Sequence, residues 1–149
     1  MATEARIAIA NQDGSYDFAL VYFEGFPSHM IPFFQRYLTS EEKVREVVKV
    51  GNIVMLDDRS GKLKFDPVDY VTYDLGNQNP EELIFRNFED LSEGKDSSGC
   101  YYGNPQHTYI FQHGRWYGHY WSSQLKKAIP IVKYINWLSK LPVNDRPRF

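Results

Sequence analysis

Arg6-Ile7-Ala8-Ile9-Ala10-Asn11-Gln12-Asp13-Gly14-Ser15-Tyr16-Asp17-Phe18-Ala19-Leu20-Val21-Tyr22 decides the fold. Its first five residues are a short apolar run with β-branched members. Asn11 to Gly14 is turn chemistry, because Asp-Gly readily supplies a positive φ. Tyr16, Phe18, Leu20 and Tyr22 then alternate with Asp17, Ala19, Val21 and Phe23. Such alternation marks a strand with one strongly apolar face, its second face turning apolar toward the end. Two strands around a tight turn make a hairpin.

A second hairpin lies near the other end. Thr108-Tyr109-Ile110-Phe111-Gln112, then His113-Gly114, then Arg115-Trp116-Tyr117 reads as two strands joined by a two-residue turn. Between the hairpins, Glu24-Gly25-Phe26-Pro27 breaks the first strand system. Ser28 is a plausible helix cap, and Pro32 is tolerable only near a first turn. Ile31, Phe34, Tyr37 and Leu38 follow helical spacing. Thr39-Ser40-Glu41-Glu42 has the form of a capping box, and Val44, Val47 and Val48 give the buried stripe of the helix behind it. Gly51 stops that helix, and Ile53 to Leu56 packs as a short strand or apolar loop. Val68 to Tyr73 has strand composition. Asn79-Pro80-Glu81-Glu82 resembles a helix start, with a short helix or strand through Leu83, Ile84, Phe85 and Phe88. Ser92 to Asn104 reads as a loop. A last helix runs from about Ile129 or Pro130 to Lys140, burying Ile131, Ile135 and Leu138, and Pro142 ends it. The expected architecture is α+β, an antiparallel sheet built from the N- and C-terminal hairpins with short helices packed on one face. One domain spans 1–149, with 142–149 as a loose tail.

The chain has 149 residues, enough to bury about two thirds of its unfolded surface. Its 42% hydrophobic and 24% charged residues are ordinary for a globular domain. Cys100 is the single cysteine, no secretory signal opens the chain, and no window approaches the roughly 20 apolar residues of a membrane helix. A cytoplasmic, reducing location without membrane contact is expected. The net charge of −2 argues against a protein that grips nucleic acid mainly through phosphates. The charge is uneven, however. Asp66 to Asp96 holds nine acids against Arg86 and Lys95, while Gln124 to Phe149 holds six bases against Asp145. These read as two solvated surfaces that attract one another, or as faces for a partner. Aromatic content is 16%, with eleven Tyr, ten Phe and three Trp. Such residues suit interfaces, and an aromatic-rich core is an equally good explanation.

No catalytic residue, metal site or cofactor is read from the motifs. His107, His113 and His119 match no zinc-ligand spacing, and His113 is better explained as a turn residue. Cys100 lacks the local signature of a cysteine hydrolase. Asp57-Asp58, Glu81-Glu82 and Glu89-Asp90 read as solvated pairs, and phosphate loops and nucleophile elbows are missing. Arg115-Trp116-Tyr117-Gly118-His119-Tyr120-Trp121 interleaves aromatics with bases. Such a stretch can be a strand with one face in the core, a protein interface or a stacking surface for single-stranded nucleic acid. The interface expectation centres on Arg115, Tyr117, His119, Tyr120 and Trp121, with Phe26, Tyr101 and Tyr102.

Arg6-Ile7-Ala8-Ile9, Asp13-Gly14-Ser15-Tyr16 and Tyr22-Phe23-Glu24-Gly25-Phe26-Pro27 together resemble small uncharacterised proteins of phages and mobile genetic elements. Those begin with an R-A-x-I strand, a D-G turn and a G-[FY]-P loop, then two helices reaching a glycine. The later Tyr109-Ile110-Phe111 with Gly114-Arg115-Trp116-Tyr117 is similar to their closing hairpin, so the resemblance covers about half the chain. Phe23-Glu24 stands in place of a more polar pair, and Ser28-His29-Met30 replaces a glycine-containing helix start. The resemblance carries over no catalytic residue. It implies a phage setting, and with it a small interaction protein that binds and modulates a host protein, a defence component being the candidate target. The alternatives are a small-molecule or nucleotide hydrolase edged by Glu24 to Pro27 with His29, favoured by a pocket gathering His29, Glu24 or Cys100, and a nucleic-acid-binding protein using the basic C-terminal helix and the Arg115 to Trp121 stretch. An exposed strand edge would make a homodimer easy.

Overall fold

A computed structural model of the chain describes residues 3–49, 52–53, 55–56, 84–94, 105–120, 127–147 and 149. The N-terminal hairpin forms as its sequence reads. Strand β1 (Ala5–Ala10) pairs antiparallel with β2 (Tyr16–Val21), Ala5 opposite Val21 and Ala10 opposite Tyr16. The turn closes through Asn11 N–H to the Ser15 carbonyl at 2.8 Å, and Gly14 supplies a φ of 88° with open space around it. Asp13 accepts from the Ser15 amide at 3.0 Å and from the Ser15 hydroxyl at 2.6 Å. Those two bonds favour the ionised carboxylate and hold it below the usual aspartate range.

Chain order then gives helices α1 (Pro27–Tyr37) and α2 (Glu41–Val48), strands β3 (Asn52–Ile53) and β4 (Ile84–Phe85), and helix α3 (Phe88–Glu93). Strands β5 (His107–Gln112) and β6 (Arg115–Tyr120) form the second hairpin, and β7 (Ile129–Pro130) leads into α4 (Ile131–Ser139). The His113-Gly114 turn has φ values of 53° and 74°, the two left-handed residues a two-residue hairpin turn requires.

The two hairpins meet through a parallel pairing of β1 with β5, Ala5 opposite His107 and Ile9 opposite Phe111. The fold is α+β as expected, and this seam makes the sheet mixed. Among the described residues the strands run β3-β2-β1-β5-β6-β7, with β4 also on β2 opposite Tyr16 and Asp17. The longer helices α1, α2 and α4 pack on one face, against Ile7, Ile9, Val21, Tyr109, Phe111 and Trp116. The second face is also covered. There Phe85 and Leu91, from β4 and α3, pack with Ala8, Phe18 and Ile110, and the Phe18 and Phe85 rings stack at 4.0 Å. Cover on both sides explains why β1 is apolar at every position except Arg6.

Local chemistry explains most element ends. Helix α1 starts at Pro27 with Phe26 as cap residue, ahead of the expected Ser28. Pro32 lies inside it, on the exposed side with Ser28, where water can reach the carbonyl that Pro32 cannot bond. Ser40 caps α2 by accepting the Lys43 amide at 3.3 Å, and Val44, Val47 and Val48 are buried as expected. Asn87 caps α3 through the Asp90 amide at 2.9 Å, and Gly94 ends it in the left-handed region, so Ser92 and Glu93 are helical rather than loop. Val143–Asp145 form a 3-10 turn, Pro147 is buried and Phe149 packs on the core. No helix among the described residues is long and apolar enough to cross a membrane. The strand composition at Val68 to Tyr73 and the helix start at Asn79 to Glu82 lie outside the described residues.

Two glycines are fixed by close approach. A Cβ on Gly25 would lie 2.6 Å from Ala5 Cβ and 2.7 Å from the Thr3 carbonyl. At Gly118 it would lie 2.5 Å from the Tyr134 ring, which seats α4 on the sheet. Gly118→Ala is expected to destabilise the fold by about 1–3 kcal/mol, the usual range for overpacking. Urea denaturation beside wild type measures it, and an unchanged midpoint would mean that Tyr134 does not rest on β6.

Candidate functional site

The sequence-derived interface residues separate by strand parity. Arg115 is exposed and Tyr117 half-buried, while His119 on the same face is buried, with Phe88 edge-on to it at 5.4 Å. Tyr120 points to the helix face. It is 6% exposed, lies 6.5 Å from the Trp137 ring and donates to the Asp145 carbonyl at 3.3 Å. His119 and Tyr120 are therefore packing residues. Phe26 is half-buried beside His29, whose Nε2 bonds the Leu56 carbonyl at 2.8 Å. Tyr101, Tyr102, Trp121 and Cys100 lie outside the described residues, as does most of the acidic segment.

Two open clefts flank the His113-Gly114 turn. One, of about 310 Å³, lies between the hairpin tips and the start of α2. Its wall is a closed polar network. Arg45 donates to Glu41 at 2.8 Å, to Asn11 at 3.1 Å and to Asp17 at 3.4 Å, and Asn11 donates to Ser15 and Asp17. Two carboxylates face the one guanidinium, leaving no excess positive charge, and the network ties α2 to the first hairpin. The other cleft, of about 320 Å³, opens on the opposite sheet face and is aromatic: Tyr16, Phe88 and Tyr117 surround Ile110, with Lys127 at the rim. Neither cleft includes Glu24 or His29 in its lining. No group of three or more His, Cys, Asp or Glu among the described residues is placed to hold a metal ion.

The outward face of α4 is the third feature. Ile131, Tyr134 and Leu138 point to the core, which turns Val132, Lys133, Asn136 and Lys140 to solvent. Val132 is 77% exposed and Val143 in the following turn 75%. Arg146 folds back to donate to the Leu141 carbonyl at 2.8 Å, adding charge at the end of the helix. The sequence signalled the basic residues here. The exposure of Val132 follows from helical period only once the buried positions 131, 134 and 138 are known.

Buried polar groups belong to the frame rather than to either cleft. Arg6, 2% exposed, donates to the Leu91 carbonyl at 2.9 Å and to Thr108 Oγ1 at 3.4 Å, with its guanidinium 5.0 Å from the Phe85 ring centre. His107 Nδ1 bonds the Tyr134 hydroxyl at 2.8 Å, and the Tyr109 hydroxyl donates to the Gly25 carbonyl at 2.6 Å. Comparison with known proteins returned no match, whether among family models, curated proteins or solved structures.

Burial pushes the Tyr109 and Tyr134 phenols well above their ordinary value. In the unfolded chain both ionise near about pH 10. Their contribution to stability is thus fully present below that pH and lost as pH rises through the higher folded values. Thermal unfolding followed from neutral to alkaline pH should show a plateau and then a steep drop above about pH 10. Tyr134→Phe should cost about 1 kcal/mol at neutral pH and flatten the alkaline drop; an equally steep drop in the variant would show that Tyr134 is not its source.

Proposed function

We propose that the chain is a small interaction protein that binds and modulates a host protein in a phage or mobile-element setting, docking through the outward face of α4 and the turn after it. The observation that carries the reading is the pairing of exposed valines with cations there. Val132 is exposed at the start of α4 next to Lys133, and Val143 is exposed in the turn beyond its end, between Lys140 and Arg146 in the chain, while Ile135, Trp137 and Leu141 are half-buried against the core. A half-exposed apolar centre within a charged rim is the common anatomy of a protein interface. The positive charge selects a partner with an acidic surface and speeds encounter with it. The sequence resemblance supplies the setting, and a host defence component is the candidate target.

Affinity capture from bacterial lysate, followed by mass spectrometry, tests the reading. The tagged wild-type chain is expected to retain one stoichiometric partner. Val132→Asp combined with Lys133→Glu should weaken that capture at least about tenfold, the loss expected when an apolar contact and a steering charge go together. Both positions are solvent-exposed, so the melting temperature should stay within a degree or two of wild type. A variant that captures the same partner equally well would remove this face as the docking site.

A further inference from the structure

The cleft on the second sheet face is built differently from the α4 surface and calls for a different ligand. Its floor is Ile110, 1% exposed at the centre of β5. Tyr117 stands directly opposite Ile110 on β6, and Tyr16 rises from β2 on the far side of β1. Phe88, the first residue of α3, closes the wall, and its ring is fixed edge-on to the buried His119. Three rings around an apolar floor accept a planar group, since ring faces stack on one another. Lys127 and His113 stand on the same lining and provide hydrogen-bond donors for an anion.

His113 belongs to the turn at the edge of the cleft. Its φ of 53° belongs to the left-handed region, where the first position of such a turn favours Asn, Asp or Gly. Histidine, like asparagine and aspartate, is enriched among the non-glycine residues of that region. His113 lies on the lining of this cleft and of the one on the helix face, with its Nε2 3.4 Å from Gln112 Nε2.

We propose that this cleft binds a 5′-nucleoside monophosphate, the base stacked among Tyr16, Phe88 and Tyr117 and the phosphate met by Lys127 and His113. The volume of about 320 Å³ is at the small end for ligand sites, which suits one base and one phosphate rather than a dinucleotide. A single strand of nucleic acid offers the same base-plus-phosphate chemistry. The net charge of −2 disfavours tracking a polyanion, so the free nucleotide is the ligand.

Isothermal titration of the full chain with AMP, GMP, CMP and UMP, and with a short single-stranded DNA, tests this. At least one monophosphate should bind saturably and raise the melting temperature. Tyr117→Ala and Lys127→Glu should each weaken binding about tenfold, in line with one stacked ring or one phosphate contact. His113→Asn should keep or raise the stability of the free chain while weakening binding, which a purely structural turn residue would not do. Lys133→Glu, on the α4 face, should leave nucleotide binding unchanged, so this site and the docking face fail separately. Failure of all four monophosphates, or binding indifferent to Tyr117→Ala and Lys127→Glu, overturns the proposal. Tight, salt-sensitive binding of the strand without the monophosphates overturns it in favour of the strand.

Discussion

The parallel pairing of β1 with β5 is the constraint on which the rest of the structure depends. Without it the sheet would divide into two parts, each one hairpin with only two-residue strands added at its outer edge, and hairpins are marginal in water. Joined at Ile7 and Tyr109, both 0% exposed, they become the centre of one sheet. A centre so apolar on both sides needs two covers. Helices α1, α2 and α4 supply one, and β4 with α3 supplies the other. Arg6 links seam and second cover directly. It sits on β1 beside Thr108 of β5 and donates to the Leu91 carbonyl of α3. Through α3 the same arginine holds Phe88, and with it one wall of the aromatic cleft.

The unusual aromatic content is spent mainly on these covers. Phe34 stacks on Trp116 at 4.0 Å with nearly parallel planes, and the indole N–H donates to the Leu38 carbonyl at 2.9 Å. Tyr109 and Tyr134 lie edge to face at the core centre, each with its hydroxyl bonded. The rings of Trp116, Tyr109 and Tyr134 fill the space between helices and sheet while their polar tips stay bonded. The aromatics left half-exposed, Tyr117 and Phe88 among them, face the shallower second side.

What the sequence disclosed follows from what is local. Asp13-Gly14 and His113-Gly114 dictate their turns within a few residues, so both hairpins were legible, as were the valine stripe of α2 and the stop at Pro142. The seam was not, because no residue near Ile7 encodes a partner near Tyr109. Helix α1 misled by one cap, since Pro27 can open a helix without a capping side chain. Around Arg115 to Tyr120 the alternation was plain. Which parity is buried was not readable, because covers on both faces bury His119 as well as Tyr120. The cleft needed the seam first: Tyr16 and Tyr117 face a common space only when β5 lies beside β1.

That seam also sets a timetable for synthesis. Arg6 and Thr108 are 102 positions apart. At bacterial or eukaryotic translation speeds, β1 waits on the order of 5–20 s for its parallel neighbour to be made. Throughout that interval the N-terminal hairpin and the first two helices carry an apolar strand with an unpaired edge, the kind of surface that recruits other chains. Folding yield in the cell should therefore hinge on what shields residues 5–10 until β5, at the start of the last third of the protein, has been made.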